Sequence, residues 1–122
     1  MDSIAIIGAS LDRGKFGNKA VRAYKSKGFK VFPINPKKSK IEGLNCYNSV
    51  LDINEKIDLA SLYLPPDIGI KVINEIAKKG IKLIYLNPGA ESDEIVKECK
   101  KLGIKPLLQC SIKAIGSNPE DF

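Results

Sequence analysis

Residues suited to holding an anion stand near the start of the chain, between an apolar run and a helical pattern. The loop carries Gly8, Ala9 and Ser10, then Arg13, Gly14, Lys15, Phe16 and Gly17. Small residues let the backbone approach a ligand closely, and the N–H groups at a helix N-terminus bind phosphate oxygens. A lysine at the helix start adds a positively charged donor. The spacing therefore predicts a phosphate-binding turn, with ordinary tight-turn chemistry as the alternative.

Three further loops of unusual composition follow apolar runs, at the points where strands are predicted to end. They are Asn35-Pro36-Lys37-Lys38, Leu64-Pro65-Pro66 and Asn87-Pro88-Gly89. The first has lysines where a NAD-binding domain usually carries an acid for the ribose hydroxyls, which favours a ribose bearing an extra phosphate. The prolines predict a rigid apolar wall, and the third loop offers backbone hydrogen bonds to an extended amide-bearing ligand. Each loop alone is also compatible with plain turn or surface chemistry.

Composition predicts a single globular domain over residues 1–122, with 43% hydrophobic and 28% charged residues. We expect a cytoplasmic protein, because no apolar run is long enough to span a membrane and the start lacks the basic region of a signal peptide. The net charge of +6 favours anionic partners, either phosphate-bearing small molecules or nucleic acid. We do not expect nucleic-acid binding, because no recognition motif is present.

The supply of reactive side chains restricts the chemistry open to this chain. It contains no histidine, which excludes Cys–His dyads, Ser–His–Asp triads and most zinc sites, and we expect no metal site. The three cysteines form no disulfide framework. Cys99 is expected in the core. Cys110 is expected near the ligand edge, where a mixed disulfide with a ligand thiol is the alternative to simple packing.

Predicted strands and helices alternate along the chain. The strands are predicted at 3–8, 30–34, 57–64, 81–86 and 104–108, and the helices at 16–27, at 68–79 with Asp67 as N-cap, and between Ser92 and Gly103. Ser49 is predicted to cap a short helix and Pro33 to mark a strand end, and the segment from Ser111 is polar and poorly patterned. The pattern predicts an α/β fold, a Rossmann-like three-layer sandwich with a five-stranded, mostly parallel sheet and helices on both faces. Its strands' carboxyl ends share one edge, where ligands bind.

Taken together, the loops resemble the CoA-binding domain family. This family includes small stand-alone CoA-binding proteins and the amino-terminal domain of the succinyl-CoA synthetase alpha subunit. The matching segments are 6–10, 14–17, 31–37, 43–50, 62–66 and 87–92. The resemblance implies a Rossmann-type fold that binds coenzyme A or an acyl-CoA. It also implies contacts to the phosphates from Arg13, Gly14, Lys15 and Phe16, to the nucleotide end from Lys37 and Lys38, around the ligand from Pro65 and Pro66, and to the pantetheine from Asn87, Pro88 and Gly89.

Two functional expectations follow. The first is non-catalytic binding of coenzyme A or an acyl-CoA at the carboxyl edge of the sheet, in a regulatory or carrier role. Ligase activity is not implied, because the synthetase's second domain with its catalytic histidine has no counterpart in this sequence. The alternative is an NADP-binding oxidoreductase or subunit, supported by the basic loop after the second strand. The sequence leaves open whether the domain acts with a protein partner or as a homo-oligomer.

Overall fold

The computed structural model of the protein describes residues 3–122. Its strands are β1 (Ser3–Ile7), β2 (Lys30–Ile34), β3 (Lys40–Ile41), β4 (Leu44–Asn45), β5 (Leu59–Leu62), β6 (Leu83–Leu86) and β7 (Lys105–Leu107). Its α-helices are α1 (Phe16–Ser26), α2 (Pro66–Gly69), α3 (Ile73–Lys79), α4 (Asp93–Lys101) and α5 (Ser111–Ala114). Short 3-10 helices run over Val50–Asp52 and Pro119–Asp121.

Five of the strands form one parallel sheet in the order β2-β1-β5-β6-β7. The chain leaves β1 towards β2 on one side and returns to β5 on the other, so the strand order reverses between β1 and β5. In open α/β sheets, ligands bind in the crevice outside the carboxyl ends of the strands at such a reversal. β3 and β4 form a separate antiparallel pair.

Strand β1 is buried along its whole length, as a central parallel strand must be when both faces are covered. Its side chains alternate: Ala5 and Ile7 pack into one hydrophobic cluster with residues of α3 and α4, among them Cys99. Ile4 and Ile6 pack into the other cluster with residues of α1 and α5. The predicted α/β Rossmann-like fold with helices on both faces is therefore confirmed, as is the core position of Cys99.

The prediction of one continuous helix over 68–79 is wrong, because this segment is divided between two shorter helices, α2 and α3. α2 begins at Pro66, with Pro65 at the N-cap, so Asp67 lies in the first turn and is not the N-cap. Proline suits a first helical position because the N–H it lacks has no intrahelical partner there. The predicted caps at Ser49 and Ser92 are confirmed, since their hydroxyls accept hydrogen bonds from the N–H groups of Leu51 and Ile95.

The structure defines two other segments that the sequence pattern left weakly marked. The residues from Ser111 onward are ordered: α5 buries Ser111 and Ile112, and the 3-10 helix at Pro119–Asp121 follows. Their polar composition hid this, because polar groups can be buried when hydrogen bonds satisfy them. Strand β2 has the predicted bounds, Lys30–Ile34, and Pro33 lies one residue before its end. An edge strand such as β2 tolerates a proline because its outer side pairs with no other strand of the main sheet; there the Pro33 carbonyl oxygen accepts from the N–H of Tyr47 at 3.0 Å.

Substitution of Gly17 tests the close contact between the start of α1 and the end of β1. A Cβ added at Gly17 would lie 2.4 Å from the Gly8 carbonyl oxygen, which is backbone and cannot turn away. We expect Gly17→Ala to lower the free energy of unfolding by about 2 kcal/mol or more, measured by urea denaturation.

Gly14→Ala is the matched control for that substitution. The nearest atom to its added Cβ is the Asp12 carboxylate oxygen at 3.3 Å, at the end of a side chain that can move. We expect a change of less than about 0.5 kcal/mol for this variant. Equal stability of the two alanine variants would contradict the proposed steric contact.

Candidate functional site

Two adjoining cavities lie at the carboxyl ends of β1, β5 and β6. The first, of about 320 Å³, is called the loop cavity; it is lined by Gly8, Lys15–Gly17, Leu62–Pro65 and Asn87–Ala90. The second, of about 330 Å³, is called the tail cavity; it is lined by Phe16, Tyr63, Asn87, Pro88, Cys110, Lys113 and Asn118–Glu120. Because Phe16, Tyr63, Asn87 and Pro88 line both, the two cavities adjoin at the reversal of strand order, and together they are called the groove.

The loop cavity is shaped by the start of α1. Gly8 has a left-handed backbone with φ of 91°, and a Cβ there would lie 2.8 Å from the Tyr63 carbonyl oxygen. Glycine at positions 8 and 17 therefore lets the loop, the helix and the end of β5 approach closely. No side chain caps α1, and its first turn carries no acidic residue. The positive end of the helix dipole thus stands uncompensated beside the exposed residue Lys15.

The predicted site residues divide into those that line the groove and those that do not. Gly8, Lys15, Phe16, Gly17, Leu64, Pro65, Asn87, Pro88 and Gly89 line it. Ala9, Ser10, Arg13, Gly14, Asn35, Pro36, Lys37, Lys38 and Pro66 are not part of its lining. The second set includes the whole basic loop after β2, so the groove brings together only part of the predicted site.

The loop after β2 is nevertheless tied to the loop after β1. The side-chain amide of Asn35 donates to the carbonyl oxygen of Ala9 at 2.8 Å. Its Oδ1 accepts from the N–H of Lys37 at 2.9 Å. Lys37 and Lys38 are exposed. Asn35 therefore fixes where this basic loop leaves the sheet, one strand away from the phosphate-binding turn predicted after β1.

Arg13 lies beside a carboxylate that the sequence analysis did not connect to it. Its Nε is 3.5 Å from Glu42 Oε2, in the turn between β3 and β4, and its side chain is 66% exposed. The amide of the buried residue Asn18 donates to the same Oε2 at 3.0 Å and to the Ser10 carbonyl oxygen at 2.9 Å. Among the residues other than glycine in the described part of the chain, Glu42 alone has a positive φ, of 51°. No local sequence signal links positions 13 and 42.

A buried polar network forms the floor of the groove where the cavities meet. Ser61 Oγ lies 2.7 Å from Ser111 Oγ, which lies 2.9 Å from the Tyr63 hydroxyl. Tyr24 donates from its hydroxyl to the Ser111 carbonyl oxygen at 2.7 Å. Sequence reasoning missed Ser61, Ser111 and Tyr24; the only available signal was a serine inside the apolar run of β5. The network holds the C-terminal residues against the rim of the sheet.

Asn87 is the centre of this network. Its Nδ2 donates to Ser61 Oγ at 2.9 Å and to the Leu62 carbonyl oxygen at 2.8 Å, and its Oδ1 accepts from the N–H of Ser111 at 2.9 Å. Both amide hydrogens and the oxygen are thus used inside the protein. The side chain of Asn87 positions β5 and the start of α5, and what faces the groove at this point is the backbone with Pro88.

Burial controls the ionisation of the phenols at the floor. It raises the pKa of Tyr63 to about 12, with the hydrogen bonds to Ser111 and Ser61 opposing the shift. Burial also raises the pKa of Tyr24 far above its ordinary value. Both groups are therefore protonated at neutral pH and act as hydrogen-bonding groups.

In residues 3–122 no three His, Cys, Asp or Glu side chains are grouped to hold a metal ion. None of the helices in this range has the length and apolar character needed to cross a membrane.

The raised pKa of Tyr63 predicts a pH dependence of stability. The folded protein keeps a proton up to about pH 12 that the unfolded chain releases near pH 10. Stability must therefore fall as the pH rises through this window. In Tyr63→Phe we expect the fall to be less steep, by at most about 1.4 kcal/mol per pH unit. Urea denaturation of both proteins at pH 9, 10 and 11 measures the difference, and parallel curves would contradict the assignment.

Comparison with known proteins relates this site to a family. The sequence profile of the CoA binding domain matches residues 2–116. An ADP-forming acetate–CoA ligase of Methanocaldococcus jannaschii is 46% identical over 80 residues, which are 66% of this chain and 11% of the ligase. The alpha subunit of ADP-forming acetate–CoA ligase II of Pyrococcus furiosus is 31% identical over 119 residues, which are 94% of this chain and 26% of the subunit.

A solved structure has nearly the same extent as this chain. It is a conserved hypothetical protein of Pyrococcus furiosus, with a TM-score of 0.82 and 39% identity, covering 87% of this chain and 91% of its own. The chain spans about a tenth and about a quarter of the two ligase sequences it matches. The profile match over residues 2–116, with the parallel sheet and the groove at its carboxyl edge, shows that this chain belongs to the CoA-binding domain family.

Proposed function

We propose that this domain binds coenzyme A or an acyl-CoA along the carboxyl edge of its sheet, without itself catalysing a reaction. The observation that carries the proposal is the start of α1, which has no cap, no acid in its first turn and Lys15 beside it, and which lines the loop cavity. Anions are stabilised at such helix ends by the free N–H groups and by the dipole. Membership of the CoA-binding domain family supports the choice of ligand.

The diphosphate of the ligand would lie in the loop cavity, against the turn from Gly8 to Gly17. The absence of side chains at these two glycines lets the turn, α1 and the end of β5 pack closely, which seats the start of α1 beside the cavity. Lys15 supplies a charge-assisted hydrogen bond. Arg13, whose side chain is 66% exposed, would turn from Glu42 to phosphate, and the 22% exposed Glu42 side chain would keep its hydrogen bond from Asn18.

The nucleotide end would extend towards β2, where Lys37 and Lys38 stand on the loop that Asn35 ties to Ala9. These lysines would pair with the 3′-phosphate of coenzyme A. The pantetheine arm would run the opposite way, between Pro65 and Pro88 and over the ring of Phe16. Strand order places the loops after β2 and β6 on opposite sides of β1 and β5, which suits a long ligand lying across the edge.

The role of the bound ligand would be regulatory or that of a carrier, in the cytoplasm. Two features support a non-catalytic part for this domain: the sequence contains no histidine, and the polar side chains at the groove floor are engaged with one another. The relative of Pyrococcus furiosus is named as one subunit of a ligase. A carrier of this kind would present its ligand to a protein partner.

Lys15 provides the first test of this proposal. We expect Lys15→Ala to weaken the binding of coenzyme A about tenfold or more, because a charge-assisted hydrogen bond to phosphate is lost. Lys97→Ala is the matched control, since Lys97 is exposed on α4 and lines neither cavity. Isothermal titration calorimetry measures both. Failure of the unchanged protein to bind coenzyme A below millimolar concentration would overturn the proposal.

The basic loop provides a second, separate test. We expect the unchanged protein to bind coenzyme A about tenfold more tightly than 3′-dephospho-CoA, because two lysines face the 3′-phosphate. The double variant Lys37→Ala, Lys38→Ala should bind the two ligands within about twofold of each other. The charge-matched control is Lys97→Ala with Lys100→Ala on α4, which should keep the preference. Equal binding of both ligands by the unchanged protein would contradict the assigned role of the loop.

A further inference from the structure

In the proposed mode of binding, neither the phosphates nor the nucleotide of coenzyme A lies in the tail cavity. Its outer wall is made by Asn118, Pro119 and Glu120, and these residues lie beyond residue 116, where the family profile ends. The groove that leads into it is shared with the loop cavity at Phe16, Tyr63, Asn87 and Pro88. A ligand that runs along the groove away from Lys15 therefore enters the tail cavity last.

The wall of this cavity is firmly held. The Ser111 carbonyl oxygen accepts from Tyr24 at 2.7 Å, and its Oγ lies 2.7 Å from Ser61 Oγ. Pro119 is buried, and Asn118 caps the last 3-10 helix by accepting from the N–H of Glu120 at 3.0 Å. The side chain of Phe122 stacks under the Arg22 guanidinium of α1 at 5.8 Å. The cavity is thus built by tertiary contacts over the length of the C-terminal segment.

The lining is suited to an apolar group. The rings of Phe16, Tyr63, Pro88 and Pro119 and the thiol of Cys110 supply apolar surface. The lining has no glycine-rich turn, and its one cation, Lys113, faces the same space as the carboxylate of Glu120, so a phosphate would meet no net positive charge. A volume of about 330 Å³ lies at the small end of ligand sites.

We propose that the tail cavity binds the acyl group of a short- to medium-chain acyl-CoA, and so makes this domain selective for the thioester over free coenzyme A. This inference rests on the proposed function. The strand order supports this direction of the ligand along the sheet edge. If its nucleotide end lies towards β2, its thiol end lies towards β6 and β7, where Pro88 and Cys110 are found. Rigid rings and a bounded volume limit the length of chain that fits.

The test compares coenzyme A, acetyl-CoA, butanoyl-CoA and hexanoyl-CoA by calorimetry, with a reducing agent present so that Cys110 forms no disulfide. Full burial of one methylene strengthens binding about fourfold. We expect hexanoyl-CoA to bind at least tenfold more tightly than coenzyme A. Glu120→Trp places an indole in the cavity from an exposed position, and should bring the Kd values of all four ligands within about twofold of one another.

Asp121→Trp is the matched control, because Asp121 is exposed on the same 3-10 helix and does not line the cavity. It should keep the preference for hexanoyl-CoA. Equal binding of all four ligands by the unchanged protein would overturn the acyl site and leave the proposed function standing. A preference for hexanoyl-CoA that persists in Glu120→Trp, or loss of the preference in Asp121→Trp, would also overturn it. If none of the four ligands binds, both proposals are wrong.

Discussion

The contact between Gly17 and the carbonyl of Gly8 is the constraint on which the site depends. No side-chain atom fits between them, since a Cβ at Gly17 would lie 2.4 Å from that oxygen. The contact seats the first turn of α1 directly over the end of β1, next to the reversal of strand order between β1 and β5. The positive end of the helix is thereby aimed at the groove. Lys15 and Phe16 directly precede Gly17, so this close contact also sets where they lie beside the groove.

A second constraint joins the far end of the chain to the same edge. Asn87 uses its whole amide group to connect β5, β6 and the start of α5. Buried polar groups of this kind cost stability when left unpaired, so the satisfied network specifies one arrangement of the C-terminal segment. One consequence is that the groove has a wall made by residues beyond position 116, where the match to the family profile ends.

The lining of the groove carries few charged side chains and is not uniformly basic. The net charge of +6 is spread over the surface, and most of it lies outside the groove lining. Lys15 lines the groove, whereas Arg13 lies beside Glu42. Lys37 and Lys38, on the loop after β2, are exposed and are not part of the groove lining. Positive charge in the groove is local: the end of α1 and Lys15 stand in the loop cavity, whereas Lys113 in the tail cavity is balanced by Glu120.

The local pattern of apolar, polar and small residues in the sequence was enough to predict the fold class and the five strands of the main sheet. It also predicted the caps at Ser49 and Ser92 and the small-residue turn, because each of these features depends on neighbours within a few residues. The same reasoning failed at 68–79, where proline moved the helix start, and at Ser111, whose burial depends on Asn87 and Ser61 in distant strands. It could not connect Arg13 to Glu42 or join the two cavities at Tyr63. These features are contacts between segments far apart in the chain, so only the tertiary structure decided them.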